Sequence, residues 1–261
     1  MNVPYEPTEK PPMRRGRISA ILLIILLDAL LIFALILFFP LLTGSANRSL
    51  NSSNWSGYLV ATNLNNPQSS VTEIEASWTV SAVNVSRTNS YSAVWIGIGG
   101  EFDSSLIQAG TEQDSINEVG TYSAWYELLP NNEVTVGSLN ISPGDRITAS
   151  ISLSDPSTNT WLIEINDSVS GQYHRNVFYP SSKLSAEWIL ERPINSVLTN
   201  LADFSELTFT GCTATVGGKV ETISSLPHIE ITMYNQNTEL ASVSPLVSNG
   251  SSFTINYMAS A

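Results

Sequence analysis

Side-chain catalysis needs a group that moves a proton or attacks a carbon, and in this chain the choice is narrow. His174 and His228 are the only histidines and Cys212 the only cysteine, too few for a His/Cys zinc site of the usual kind. Neither histidine stands in a recognisable Ser-His-Asp setting. Gly97-Ile98-Gly99-Gly100 lacks the lysine and the following helix of a phosphate-binding loop. The lone cysteine excludes an internal disulfide and, in a strand-like stretch, reads as a small core residue. Carboxylates and side-chain amides remain. Glu187 alternates with Ala186, Trp188 and Leu190, so it shares a face with Ser185, Ile189 and Glu191, while Glu127 shares one with Ser123, Trp125 and Leu129. A strand face that mixes carboxylates with large aromatics is either a substrate cleft or an ordinary solvated face, and alternation alone leaves both open.

The elements that must hold these residues read as strands. Val71–Val80 places Ile74, Ala76, Trp78 and Val80 on one face and Glu73, Glu75, Ser77 and Thr79 on the other. The same period of two recurs at Tyr122–Leu129, Asp145–Leu153, Thr160–Asn166, Ser185–Glu191, Phe204–Thr210, His228–Tyr234 and Ser251–Met258. Turn signals such as Pro130-Asn131-Asn132, Ser142-Pro143-Gly144-Asp145 and Gly217-Gly218 separate them. No stretch beyond residue 53 carries a long helical stripe. The expectation is an all-β fold, one two-sheet antiparallel β-sandwich over residues 54–261.

The first 53 residues differ. Lys10, Arg14, Arg15 and Arg17 precede a nearly unbroken apolar run from Ile18 to Leu42, long enough at about 20 residues to cross a bilayer as a helix. The positive-inside bias then predicts a cytoplasmic tail over 1–17, a transmembrane anchor over 18–42, a polar linker over 43–53 and an extracellular domain beyond, or a secreted one if the segment is cleaved. Four of the 11 Lys and Arg lie in the tail, leaving seven beyond residue 47 against 20 of the 23 Asp and Glu. That sign disfavours nucleic acid as a partner. It also predicts tolerance of acid: with every carboxylate protonated, few positive charges remain to repel one another. Seven Asn-X-Ser/Thr sequons, at Asn47, Asn51, Asn54, Asn84, Asn140, Asn166 and Asn249, suit an exported glycoprotein.

Five segments taken together, Asn54-Trp55-Ser56-Gly57-Tyr58, Trp95 to Gly100, Gln108 to Asp114, Ala124-Trp125-Tyr126-Glu127 and Ala186 to Glu191, resemble in order and rough spacing the motifs of the glutamic peptidases, the eqolisins. The resemblance covers about residues 51–215. It implies a lectin-like two-sheet sandwich and acid endopeptidase activity without metal or cofactor. Gln108 and Glu187 stand at the catalytic positions, with Trp55, Trp95, Trp125, Glu112 and Glu127 as cleft walls or supporting hydrogen-bond groups. The implied partners are a protein or peptide substrate and, through the N-terminal helix, a membrane, with the catalytic domain a monomer. The roles make physical sense. A carboxylate remains usable as a base in mild acid where histidine is already protonated, and an amide donates hydrogen bonds at any pH.

The chain departs from the family in two places. Members commonly have an aspartate where this chain has Gly99 and a threonine where it has Ala109, so part of the hydrogen-bond network around Gln108 is expected to be absent, with Glu101 or Asp103 as replacements. Two other readings follow from the same residues. One is a lectin-like module that holds glycans or peptides without turnover. The other is a glycosidase with Glu127 and Glu187 as its carboxylate pair.

Overall fold

The computed structural model describes residues 47–195 and 197–260. The expected anchor at 18–42 and the cytoplasmic tail lie outside them. No helix among the described residues is long and apolar enough to cross a membrane.

Eighteen strands and one short 3-10 turn make up the domain. In chain order they are β1 (Arg48–Ser52), β2 (Trp55–Ala61), β3 (Val71–Thr79), β4 (Ala93–Gly99), β5 (Leu106–Ile116), β6 (Val119–Leu128), β7 (Val134–Thr135), β8 (Arg146–Asp155) and β9 (Thr160–Asp167). They continue with β10 (Gly171–Phe178), β11 (Ser185–Glu191), β12 (Ile194–Asn195), β13 (Val197–Leu198), β14 (Glu206–Val216), β15 (Lys219–Thr222), β16 (His228–Asn235), β17 (Thr238–Val243) and β18 (Phe253–Tyr257).

One core explains the layering. Ile74, Ala76 and Trp78 of β3, Ile147, Ala149 and Ile151 of β8, and Trp161, Ile163 and Ile165 of β9 are buried together with Val94, Ile96 and Ile98 of β4, Ala109 of β5 and Trp188 of β11. Each set is the apolar half of a period-two alternation, so two sheet layers bury facing sides against each other. Trp188 keeps its indole N–H satisfied by donating to the Glu75 carbonyl at 3.0 Å, which lets the ring be fully buried without an orphaned donor.

The layers are not separate sheets, as the sequence had led us to expect. They are one continuous 16-stranded ribbon, in the order β10-β9-β8-β3-β14-β18-β17-β16-β2-β11-β4-β5-β6-β7, with β1 and β15 attached at the side. The 11-residue β14 is the reason. Its first half pairs with β18 in one layer, and from Thr210 onward it pairs with β3 in the other. The register slips between Thr210 and Thr213, and Gly211 takes φ +66° there, the local kink a strand needs to pass from layer to layer. Pairing is antiparallel except that β1, inside the segment read as linker, runs parallel to β16. All but its last side chain are exposed, so it has no apolar alternation to betray it.

Candidate active site

On the face of the sheet turned away from the core, β2, β11, β4, β5 and β6 lie side by side. Register puts Glu187 opposite Gly97, Gly97 opposite Gln108, and Gln108 opposite Glu127, so these four residues form one row across the strands. Residues directly opposite one another point to the same face. Gly97 therefore leaves a gap in the row with Glu187 on one side and Gln108 on the other, their backbones about 10 Å apart across two strand spacings. A Cβ at Gly97 would stand 2.9 Å from both Leu106 Cδ1 and Trp95 Cζ3, so those two side chains would have to shift to admit one.

Two further rows complete the face. The next holds Ile189, Trp95, Gly110 and Trp125, and the one beyond holds Trp55, Glu191, Ala93, Glu112 and Ser123. Trp95 lies over Gly110, where an added Cβ would meet Val94 O at 2.0 Å and Trp95 Cβ at 2.7 Å. Trp55 packs edge-on against Trp95, with centroids 5.2 Å apart. A cleft of about 300 Å³ opens over these rows, lined by Trp55, Gln108, Glu112, Trp125, Glu127 and Glu191 among others.

By register the seven residues expected at the site share one sheet face; five of them line the cleft, and Trp95 and Glu187 do not. Trp95 is not a wall: it is 0% exposed and donates its Nε1–H to Glu191 Oε2 at 2.9 Å, so it forms the floor. Glu187 is likewise 0% exposed, and neither carboxyl oxygen has a hydrogen-bond partner. Burial pushes its pKa well above the usual carboxylate range. The Ser185 hydroxyl pulls weakly the other way without making a well-formed hydrogen bond, and Glu101 and Asp103 raise it further. A carboxyl shielded from water and short of donors keeps its proton.

Gln108 is held differently. Its Nε2 donates to Glu127 Oε2 at 2.5 Å while its Oε1 is buried without a partner. One N–H is thus committed to orientation and a second is left over. Glu127, not Glu101 or Asp103, anchors the amide; Asp103 accepts instead from the Ser105 backbone N–H and hydroxyl. The two departures also resolve. Gly99 has φ +92°, and a Cβ there would meet Ser105 O at 2.2 Å, so an aspartate does not fit this turn. Ala109 faces the inner core, on the side of β5 opposite Gln108, and has no part in a cleft network.

Sequence reasoning missed the wider carboxylate cluster. Glu191 accepts from Trp95 and from Asn54 Nδ2 at 3.3 Å, and burial first, Glu127 last, raise its pKa to about 7. Asp114, one row beyond Glu112, is raised to about 7 by burial and then by Glu112, against a Ser92 backbone N–H. Glu133, on the turn before β7, is raised to about 7 by burial and by repulsion from Glu112, Glu127 and Asp114. Burial also raises Glu112 and Glu127, opposed by Ser123 and Gln108 respectively. Alternation already puts Glu191 on the face of Glu187, and it would have found Asp114, an even number of residues from Gln108; Glu133 lies on a turn and carries no such signal. Of the sequons, Asn54 and Asn84 have their side-chain amides occupied, by Glu191 and by Asp203.

The sequence pattern of the Peptidase A4 family matches residues 53–257. The chain belongs to the Peptidase A4 family. It is 25% identical over 241 residues to aspergillopepsin-2 of Aspergillus niger, covering 83% of this chain and 81% of that protein. It is 24% identical over 213 residues to scytalidopepsin B of Scytalidium lignicola, covering 77% and 78%. Among solved structures it resembles scytalido-glutamic peptidase bound to a peptide-based transition-state analogue, with a TM-score of 0.65, 23% identity, and coverage of 79% of this chain and 99% of that one. It also resembles aspergilloglutamic peptidase from Aspergillus niger, with a TM-score of 0.58, 24% identity, and coverage of 65% and 99%. These structures share its fold. This member of the Peptidase A4 family is a hydrolase acting on peptide bonds, a glutamic-type peptidase.

Proposed function

We propose that the chain is an acid endopeptidase in which Glu187 and Gln108 act as a dyad on a water molecule and a scissile peptide bond. The observation that carries this reading is the row Glu187-Gly97-Gln108, two functional side chains on one sheet face, flanking a residue that has no side chain of its own. Glu187 takes a proton from water as the water oxygen attacks the carbonyl carbon. The uncommitted N–H of Gln108 donates to the oxygen that becomes negative, a contribution of roughly 2.7–4 kcal/mol per donor. Glu187 then returns the proton to the amide nitrogen as the C–N bond breaks.

The pKa of Glu187 fits both halves of this cycle. With no donor on its oxygens the carboxyl is protonated; a water held between it and Gln108 donates to it and draws the pKa down, so the base form is generated as the water is bound. Once protonated again, it is a competent acid. The acid limb of kcat, which reports the substrate complex, is then expected at lower pH than that of kcat/KM, which reports the free enzyme.

Residues 18–42, with the basic cluster before them, support a single-pass anchor holding this domain outside the cell. Protease shaving of intact cells checks it: protection of the domain would overturn the orientation.

The decisive assay is digestion of a denatured protein by the full chain from pH 2 to 7, beside Glu187→Gln and Gln108→Ala. Glu187→Gln is expected to lose about 10³-fold or more in kcat/KM and Gln108→Ala about 10²–10³-fold. Near-full activity in either folded variant would overturn the dyad.

A further inference from the structure

The cleft holds more carboxylates than the dyad mechanism uses. Glu112, Glu127, Glu133 and Glu191 all line it, with Asp114 behind Glu112 on the same face of β5. No Lys, Arg or His is among its lining residues. Arg192, next to Glu191 in sequence, is buried just past the end of β11 and is not among them. Glu112 and Glu133 line the same cleft, and no cation among its lining residues offsets their charge. The row of Glu112 lies about 13 Å along the strands from the row of Gln108 and Glu187, a span covered by about two residues of an extended peptide and one long side chain.

Two of the residues that line the cleft carry unsatisfied polar groups. Gln108 is 5% exposed and its Oε1 has no partner; Trp125 is 3% exposed and its Nε1 has none. Both line the cleft. Buried groups of this kind cost free energy until something fills the space and bonds to them. Trp125 lies in the row between Gln108 and the carboxylates, and Trp55 and Leu129 add apolar surface to the cleft on either side of it. A long aliphatic stem ending in a positive charge matches such a channel: the stem lies along the rings and the charged head reaches the acids.

We propose that Glu112 and Glu133, backed by Glu127 and Glu191, form a subsite for a lysine or arginine side chain of the peptide substrate. A cation there removes the mutual repulsion of the carboxylates. By the same linkage it draws their protons off, so the preference for a cation grows as pH rises from strongly acid values. The groups that titrate around the bound side chain are Glu112 and Asp114 from β5, Glu127 from β6, Glu133 from the β6–β7 turn, and Glu187 and Glu191 from β11. This inference rests on the reading of the cleft as the substrate site.

The test uses two peptides identical but for lysine or norleucine two residues from the cleaved bond, norleucine keeping the stem and losing the charge. With the full chain at pH 5.5, the kcat/KM ratio of lysine to norleucine is expected to be about tenfold or more, and at pH 3 about threefold. Glu133→Gln, a change on an exposed turn residue, is expected to bring the pH 5.5 ratio down to about threefold, and its combination with Glu112→Gln to about one. Glu221→Gln, on β15 away from the cleft, should keep the tenfold ratio. The same two peptides are titrated into Glu187→Gln by calorimetry, so that binding preference is read without turnover. No cleavage but a tenfold lysine preference in binding would sink the dyad and keep the subsite. Cleavage of both peptides at equal rates, or a ratio indifferent to both substitutions, would overturn the subsite and leave the peptidase reading intact.

Discussion

Two strand faces in this molecule carry glutamates at period two, and they have opposite fates. On the outside of β3, β8 and β9, Glu73 accepts a hydrogen bond from Thr215 Oγ1 at 2.9 Å and Glu164 one from Ser150 Oγ at 3.4 Å, with Glu75 exposed between them. On the outside of β11, β5 and β6 the glutamates sit among Trp55, Trp95 and Trp125 under neighbouring turns, and Glu187 has no exposure and no partner. Alternation is the same in both places. What differs is the cover above the face: large rings and the segments after β6 and β11 take the solvent away from one set of acids only. A sheet face becomes a site here by being roofed, not by the residues it presents.

That contrast is broken most severely at its floor. Gly110→Ala would drive a Cβ to 2.0 Å from the Val94 carbonyl, backbone that cannot yield within a paired sheet. We expect a loss of about 3 kcal/mol or more, enough to unfold a marginal domain. Gly137→Ala, where an added Cβ meets nothing within 4 Å, should change the urea midpoint by no more than about 0.5 kcal/mol equivalent. Equal midpoints for the two variants would show that the packing under Trp95 is looser than described.

The roofed acids also set how stability depends on pH. Glu187, Glu191, Asp114 and Glu133 all have folded-state pKa values raised above their unfolded ones. The fold therefore binds more protons than the unfolded chain between those values, and their stabilising contribution is complete below about pH 4 and lost as pH rises through about 7. Thermal melts should show the highest Tm in acid and a decline between pH 4.5 and 7.5. Glu191→Gln isolates one part: with a rise from 4.5 to about 7, its share is on the order of 3 kcal/mol, and the decline should flatten accordingly. A Tm that climbs from pH 4.5 to 7 would contradict the burial of the cluster. Glu75→Gln, on the open face, should leave the profile as it is.

The smallest expected effect sharpens the role of Glu127. Glu127→Ala removes the acceptor for Gln108 Nε2 and frees the amide to rotate. Loss of one orienting hydrogen bond is expected to cost about tenfold in kcat with KM changed less than about twofold, and Glu127→Gln, which keeps a carbonyl acceptor, should recover most of it. An effect on KM alone would make Glu127 a substrate contact instead.

Much of this was legible in the residues. The alternation in Val71–Val80 and Ser185–Glu191 named the strands and sorted their faces correctly, and Ala186, Trp188 and Leu190 are buried in the core as that sorting requires. Short or exposed strands were not legible: β1 has no buried side chain to mark its phase, and β7 is two residues long. Gly97 was the least legible site residue. The glycine-rich stretch and the Trp95–Gly100 segment of the resemblance give it no role of its own, whereas its importance lies in carrying no side chain where its neighbours in the row have a carboxylate and an amide.

Sequence alone decided that Glu187 and Glu127 lie in strands, which residues share their faces, and that acids far outnumber bases beyond the N-terminal segment. Those follow from the pleat of an extended chain and from composition, both local properties. The tertiary structure alone decided that β4 stands between β11 and β5, so that two residues far apart in the chain face each other across a glycine. It alone turned solvated glutamates into buried acids, because strand order and burial depend on contacts that no stretch of sequence contains by itself.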